Sequence, residues 1–447
     1  MIKINDKNTY CPFYEYLYLF VMVIYMGQMT PETSRMAGVL SGDQVPFLIP
    51  IVMTLILLFR HPISFLNKKL MWLSAIMLCW TIAVCYKLND FSSANLSYYF
   101  FLFYAIIIAY IHVRIYGRDL FLIYEHIMVV FSAISLVLWG ISAVFPFTDS
   151  IFHLFPETQS GNNVLYLFNW VDPEKKLTYY FNFFTRNAGC SWEPGRFAIM
   201  LIPAILVNLM QHGVKFRKNK KVKILLAALA TTFSTTGYSI VILLYAIFWF
   251  NKLTMKNVFS FLFIALPICI YLFSLDFMGS KIQERMDYDD ITEQRSRLDY
   301  YEENYGDEYV ASLDRFESAS LDYVNYQQDP LLGYGRNKDH SWFRQEVTEN
   351  FELTGGLVKT FSQYGTLVGL LLYSLLFFSS IKISRQFKNQ RRFTFAIALL
   401  LCSVSYVVFS IPIFTAFWLY GLFCYKEGEK NRGVLKLKRR AHLRFRV

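Results

Sequence analysis

The chain has 447 residues, of which 55% are hydrophobic and 17% charged, and its mean hydropathy is +0.33. Apolar runs long enough, or nearly so, to cross about 30 Å of hydrocarbon as helices recur along it, with the charged residues in the gaps. This pattern excludes a soluble globular domain and indicates a single polytopic membrane domain, residues 1–447.

The net charge of +11 is unevenly distributed. The stretch from Asp276 to Glu352 holds 19 of the 33 acidic residues and 8 basic ones, which leaves 36 basic and 14 acidic residues elsewhere. Those basic residues flank apolar runs, as the positive-inside rule expects of a cytoplasmic membrane protein. The tail 426–447 carries nine Lys or Arg. We expect this basic cytoplasmic tail to lie against anionic membrane lipids and to bind no nucleic acid.

The loops between the first apolar runs alternate between basic and non-basic. Because basic loops stay in the cytoplasm, this alternation predicts a cytoplasmic N-terminus and an outer loop at 146–194. Six helices are predicted in this half of the chain, at 12–28, 46–60, 70–86, 97–113, 120–145 and 195–211.

The segment 224–250 is apolar for 27 residues but has lysines on both sides. A polar break at Ser234–Gly237 predicts two short helices that turn at the outer side, and a single tilted helix is the alternative. Residues 393–425 repeat the pattern around Ile411 and Pro412. With further helices at 257–275 and 356–380, the predicted fold is all-α, with about twelve transmembrane helices and both termini in the cytoplasm.

A second outer loop is predicted at 276–355. Its 80 residues are too many for a passive connection. Helical spacing of apolar residues between Glu293 and Gln327 predicts amphipathic helices that lie over the bundle.

One polar cluster lies in the first outer loop, where Arg186, Glu193 and Arg196 surround the start of a predicted span. Pro194 suits the first turn of a helix, and a carboxylate suits its positive end. A helix cap with snorkelling arginines is therefore the structural alternative to a functional site.

Two more polar clusters follow in the second outer loop. In one, Arg315 precedes the turn Pro330–Gly335; in the other, Lys359 lies inside an apolar stretch. The structural alternatives are an ion pair between Arg315 and Glu317 or Asp322, and a snorkelling Lys359.

Taken in order, these clusters resemble the O-antigen polymerase and ligase family of bacterial membranes, in particular its Wzy-type glycan polymerases. The resemblance covers roughly residues 186–370. It rests on three short elements, which are Arg186 with Gly189, Glu193, Pro194, Gly195, Phe197 and Ala198; Arg315 with Pro330–Gly335; and Gly356–Gly365.

The resemblance implies a GT-C-like fold and glycosyl transfer at the outer face of the cytoplasmic membrane. No metal or cofactor is expected, because His340 and Asp339 are isolated from other ligands and the sequence has no calcium-loop, Walker A or Rossmann pattern. Undecaprenyl-diphosphate-linked glycans would be donor and acceptor, and a chain-length regulator protein is a further implied partner. A ligase-type transferase of the same fold and a flippase or transporter of lipid-linked sugars are the alternatives.

The chemistry of such a transfer assigns roles to the polar residues. A diphosphate leaving group needs positive charge as its bond breaks, and arginine supplies bidentate donors to phosphate oxygens. An acceptor hydroxyl benefits from a general base, for which Glu193 is the first choice and His340 the alternative. The predicted catalytic residues are Arg186, Glu193, Arg315 and His340, and the predicted substrate-binding residues are Arg196, Arg295, Arg297, Arg336, Tyr334 and Lys359.

Overall fold

A computed structural model describes residues 2–5, 9–26, 45–145, 148–155, 163–164, 167–171, 185–217, 219–250, 311–312, 315–346, 351–352, 356–409 and 411–425. Its helices are α1 Phe13–Met26, α2 Val45–Arg60, α3 Lys68–Leu88, α4 Ser93–Tyr116, α5 Asp119–Val144, α6 Thr148–Phe152, α7 Pro194–His212, α8 Lys220–Thr231, α9 Thr235–Trp249, α10 Arg315–Gln328, α11 Trp342–Glu346, α12 Leu357–Gln386, α13 Thr394–Ser405, α14 Pro412–Trp418 and α15 Tyr420–Phe423, with a 3₁₀ turn at Lys338–His340. The strands are β1 Ile2–Asn5, β2 Thr9–Cys11, β3 Asn163–Val164, β4 Asn169–Trp170, β5 Ala311–Ser312 and β6 Phe351–Glu352.

The chain is mostly helical, as expected, and α3, α4, α5, α7 and α12 are long and apolar enough to cross a membrane. Local side chains set several helix ends. The Asn67 side chain accepts a hydrogen bond from the Lys69 N–H at the start of α3, and Ser92 does the same for Asn95 in α4. The predicted helix at 257–275 lies outside the described residues, as does the basic tail.

Three two-stranded sheets add to the predicted all-α architecture. β1 and β2 pair antiparallel, as do β3 and β4, while β5 and β6 pair in parallel. Each strand is only two to four residues long, so the helices build the core.

The predicted break in the apolar segment 224–250 is present. Two helices, α8 and α9, meet at Thr232–Ser234, so the alternative of one long helix is wrong. Phe233 has a φ of +48°, and the Ser234 hydroxyl accepts from the Gly237 N–H at 3.3 Å, which starts α9. A second predicted break separates α13 from α14, which begins at Pro412.

Basic loops meet at one end of the bundle, which we name the basic end. Arg391 donates to the carbonyl oxygens of Ile247 and Phe248 at the end of α9, at 2.6 and 3.2 Å. Arg118 lies over the ring of Phe387, and Arg114 reaches the Phe423 carbonyl oxygen at 3.5 Å. The opposite end, which carries the outer-loop clusters, is named the loop end.

Helix α7 is the central helix of the bundle. Every residue from Pro194 to Met210 is buried, and α5, α8, α9 and α13 pack around it. A charged side chain in α7 therefore faces protein rather than lipid.

The predicted helix at 356–380 is broken at Gly365, whose φ of +68° and ψ of 177° are not helical. The sequence predicted one unbroken helix here, and the physical reason for the break lies in another segment. Residues 329–336, here named the docking turn, insert at this point, and a side chain at Gly365 would collide with the Leu331 carbonyl oxygen.

The docking turn satisfies the backbone groups that the break leaves open. Tyr334 and Gly335 donate their N–H groups to the carbonyl oxygens of Ser362 and Gln363, at 2.9 and 3.1 Å. In return, the Thr366 N–H donates to the Pro330 carbonyl oxygen at 2.7 Å. Because both sides of the break are paired, the broken helix and the turn form one rigid unit.

Candidate functional site

Arg196 lies in the first turn of α7 at the loop end. Its side chain is only 7% exposed, so the snorkelling alternative is wrong for this arginine. The guanidinium lies 5.6 Å from the ring centroid of Tyr406, and its Nε is buried without a hydrogen-bond partner. Within the described part of the chain no carboxylate lies within 4 Å of it. This leaves a buried cation open to an anionic ligand.

Glu193 and Pro194 form the start of α7 as the sequence predicts. Pro194 is the first helical residue, and Glu193 is the N-cap with extended backbone angles. The Glu193 side chain makes no capping hydrogen bond. Its charge acts on Arg196 at longer range, so the carboxylate is near the cation without forming an ion pair.

Arg186 contacts the α8–α9 turn. Its Nε donates to the Thr232 carbonyl oxygen at 3.0 Å, and one of its terminal nitrogens donates to that of Phe233 at 3.2 Å. The neighbouring Asn187 adds a main-chain hydrogen bond to Thr231. These bonds satisfy carbonyl groups at the end of α8, which favours a structural role for Arg186.

Tyr406 connects the first cluster to the third. Tyr406 lies in the α13–α14 connection, and its carbonyl oxygen packs closely against Gly356. A side chain at position 356 would collide with this oxygen. Gly356 directly precedes α12, and Lys359 follows in the first turn of that helix. The start of α12 therefore lies next to the group that covers Arg196.

Asp322 is a fully buried carboxylate on α10, the amphipathic helix that packs along α12. Its Oδ1 accepts a hydrogen bond from the Ser362 hydroxyl at 3.3 Å, while Oδ2 has no partner of good hydrogen-bond geometry among the described residues. Burial raises the pKa of Asp322 to about 7, although the charge of Lys359 and the side chains of Ser362 and Asn325 act in the opposite direction. Lys359 therefore lies beside an acid that is poised between its two protonation states near neutral pH.

Tyr334 of the docking turn lies between Asp322 and Arg336. It is buried, and burial, followed by the nearby Asp322 charge, raises the pKa of its phenol. Arg336 donates to the Tyr364 hydroxyl at 3.0 Å, and its Nε is buried without a partner. Tyr334 is therefore close to both the Asp322 carboxylate and the Arg336 guanidinium, whose Nε meets no acceptor among the described residues.

His340 closes the loop end on the side of α3. Its Nε2 lies 2.7 Å from Oδ2 of Asp90, in the connection between α3 and α4. Lys87 pairs with Asp329 nearby, so this ion pair and the His340–Asp90 hydrogen bond hold the docking turn and its following residues against α3. One nitrogen of the His340 ring is therefore already engaged.

Three predicted arginines remain. Arg315 is the first residue of α10. Arg295 and Arg297 lie outside the described residues.

The structure links Arg196 with Glu193 and Tyr406, and it links Lys359, Tyr334 and Arg336 through Asp322. Arg186 and His340 are bound to other groups. Sequence reasoning did not select Asp322 or Tyr406. The helical spacing of Leu321 and Asn325 around Asp322 marks the buried face of α10, but without the position of α12 it does not separate a functional carboxylate from a solvated one.

In the described ranges no group of three His, Cys, Asp or Glu side chains is placed to hold a metal ion. No protein-family model matches the chain, and no curated protein matches it significantly.

Proposed function

We propose that the protein is a membrane glycan polymerase. It joins oligosaccharide repeat units carried on undecaprenyl diphosphate by glycosyl transfer at the outer face of the bacterial cytoplasmic membrane. The resemblance of the three clusters to O-antigen polymerases supplies the reaction class, and the loop end supplies the site.

The observation that carries the proposal is the state of Arg196. A guanidinium in the core of a helical bundle is costly unless a partner neutralises it. Arg196 has an aromatic ring beside it and no carboxylate within ion-pair distance in the described part of the chain. An anionic substrate group is the partner that this arrangement lacks, and a lipid diphosphate offers one.

The proposed transfer uses the two guanidinium groups as electrostatic stabilisers. The acceptor hydroxyl attacks C1 of the donor sugar, the C1–O bond to the diphosphate breaks, and the diphosphate leaves with the electron pair. Arg196 and Arg336 donate hydrogen bonds to the oxygens on which negative charge develops. Lys359 adds positive charge at the start of α12. Arg186 and Arg315 stay predicted diphosphate ligands, and Glu193 and His340 stay predicted bases.

The function is tested by deleting the gene in its host and separating the surface glycans on a gel. We expect the ladder of long chains to disappear while a band with a single repeat unit remains, because attachment does not require polymerisation. Loss of all attached glycan would instead indicate a ligase or a flippase. Complementation with the intact gene is the control.

The proposed threading, with about twelve spans and both termini inside, has its own test. Asp339 is exposed at the loop end, and Lys215 is exposed at the basic end. An impermeant maleimide should label Asp339→Cys on intact spheroplasts and Lys215→Cys only after permeabilisation, with the parent chain as the background control. The reverse pattern would overturn the proposed orientation.

A further inference from the structure

We propose that Asp322 is the general base that removes the proton from the acceptor hydroxyl. This inference rests on the proposed polymerase function and adds to it a residue that touches the reacting groups.

The geometry at Asp322 suits a base more than a structural ion pair. The carboxylate is fully buried on α10 beside α12, and Oδ1 accepts a hydrogen bond from the Ser362 hydroxyl at 3.3 Å. The Asn325 amide lies near the carboxylate, but Oδ2 has no partner of good geometry among the described residues. A buried carboxylate oxygen without a donor costs free energy. The unfilled position at Oδ2 is where an acceptor hydroxyl would donate.

The charged and titratable groups around Asp322 come from each element that packs against it. Lys359 faces it from α12, and Tyr334 faces it from the docking turn, with Arg336 beyond. Lys359 is partly exposed, and its charge acts on the buried carboxylate. The carboxylate therefore lies next to one of the cations that would bind the diphosphate.

The acid strength of Asp322 supports the same role. A general base works best when its pKa lies near the operating pH, and burial brings Asp322 to about 7. Of the two predicted bases, His340 already bonds to Asp90 at 2.7 Å. The other, Glu193, is partly exposed at the start of α7, and its charge acts on Arg196.

The step is balanced within the proposed reaction. The acceptor oxygen forms its bond to C1 of the donor sugar as its proton passes to Oδ2 of Asp322. The C1–O bond to the diphosphate breaks, and the electron pair leaves with the diphosphate. Asp322 returns its proton to water before the next transfer, so no other reactant is consumed.

The test uses the full chain reconstituted in vesicles with its lipid-linked repeat unit. We expect Asp322→Asn to lower the polymerisation rate by about a hundredfold to ten-thousandfold while substrate binding persists. The wild-type rate should fall as the pH drops below about 7, and the residual rate of Asp322→Asn should lack this dependence. Asp339→Asn, an exposed carboxylate that pairs with Arg344, is the matched control and should be as active as the wild type.

A charge-matched double variant separates a base from a partner for Lys359. If Asp322 only neutralises Lys359, Asp322→Asn combined with Lys359→Gln should recover the rate of Lys359→Gln alone. If Asp322 is the base, the double variant stays at least about a hundredfold slower than Lys359→Gln. The double variant also covers the case in which Asp322→Asn alone does not fold.

Two failures are distinguishable. An active Asp322→Asn or an active double variant would refute Asp322 as the base and leave the polymerase proposal intact. A wild-type protein that makes no polymer from its lipid-linked repeat unit would refute both proposals.

Discussion

Two buried charged side chains, at opposite ends of the neighbouring helices α5 and α7, differ in the hydrogen bonds and ion pairs that surround them. Glu125 in α5, near the basic end, is 1% exposed and accepts hydrogen bonds from Asn208 at 2.6 Å and Gln211 at 3.0 Å, with Lys221 at 3.5 Å. Arg196 in α7 is similarly buried but forms no ion pair within the described residues; the Tyr406 ring lies beside it, and the Glu193 charge acts on it at longer range.

The difference separates structural charges from functional ones. A buried ion whose hydrogen-bonding capacity is filled by neighbours contributes to the packing of those neighbours. A buried ion whose donors are left open is maintained at a cost, and a ligand that fills them recovers that cost. By this criterion Glu125 is a structural charge at the basic end, and Arg196 is the candidate for ligand binding at the loop end.

The largest effect on stability is expected at Glu125. Glu125→Ala removes the acceptor for two amides and the counter-ion of Lys221, which should lower the free energy of unfolding by about 3–5 kcal/mol. Thermal unfolding in detergent measures this. Glu125→Gln keeps the shape of the side chain and should lower the free energy of unfolding by less. An unchanged melting temperature for Glu125→Ala would show that Glu125 is not a structural charge.

Arg196 should show the opposite behaviour. Arg196→Gln should slow polymerisation by about a hundredfold to a thousandfold, equivalent to about 3–4 kcal/mol of transition-state stabilisation, because donors to the diphosphate are lost. The melting temperature should change little, since Arg196 forms no ion pair within the described residues that the substitution would break. Arg196→Lys should remain impaired because a point charge does not replace a bidentate fork. Normal chain lengths in both variants would exclude Arg196 from the site.

Arg186 distinguishes the two classes by experiment. Arg186→Lys removes the paired donors to the carbonyl groups of Thr232 and Phe233, so we expect a loss of about 2 kcal/mol in unfolding free energy. The rate per folded molecule should change little. A large loss of rate at an unchanged melting temperature would instead support the sequence-based prediction that Arg186 binds the diphosphate. Ser239→Ala, on the exposed side of the adjacent α9, is the control.

The smallest effect is expected for the partly exposed pair of Asp90 and His340. Hydrogen bonds from Ser92, and then the contact with His340, hold the pKa of Asp90 below its ordinary value. The ionised carboxylate therefore contributes stability above that ordinary value, and this stability is lost as the pH falls through the lowered pKa. Asp90→Asn should lower the melting temperature by no more than ~2 °C at pH 7 and should weaken its fall in acid. A larger loss at pH 7 would mean that the pair anchors the docking turn.

Sequence patterning predicted the helices well because their lengths follow from local chemistry. Apolar runs end at charged or capping residues, and these signals lie within a few positions of the helix ends at Asn67 and Ser92. The break at Thr232–Ser234 was also predicted, since polar residues interrupt an apolar run there. The break at Gly365 was not, because its cause lies in a distant segment, the docking turn, whose backbone occupies the space beside Gly365.

The candidate site was predicted in part. Arg196, Arg336, Tyr334 and Lys359 were selected by residue type and by the resemblance, and the structure places them at the loop end. Asp322 was interpreted only as a partner of Arg315, since α10 carries several acids and sequence does not show which of them α12 covers.

By itself, the sequence determined that this protein is a membrane-embedded helical bundle, where most of its helices begin and end, and which polar clusters interrupt them. These properties depend on residues close together in the chain. The tertiary structure decided which charges are satisfied and which are open. That depends on segments far apart in sequence: the docking turn entering the break at Gly365, α12 covering Asp322, and Tyr406 covering Arg196. Burial removes water from these groups, and only the neighbouring segments determine whether another donor or acceptor replaces it.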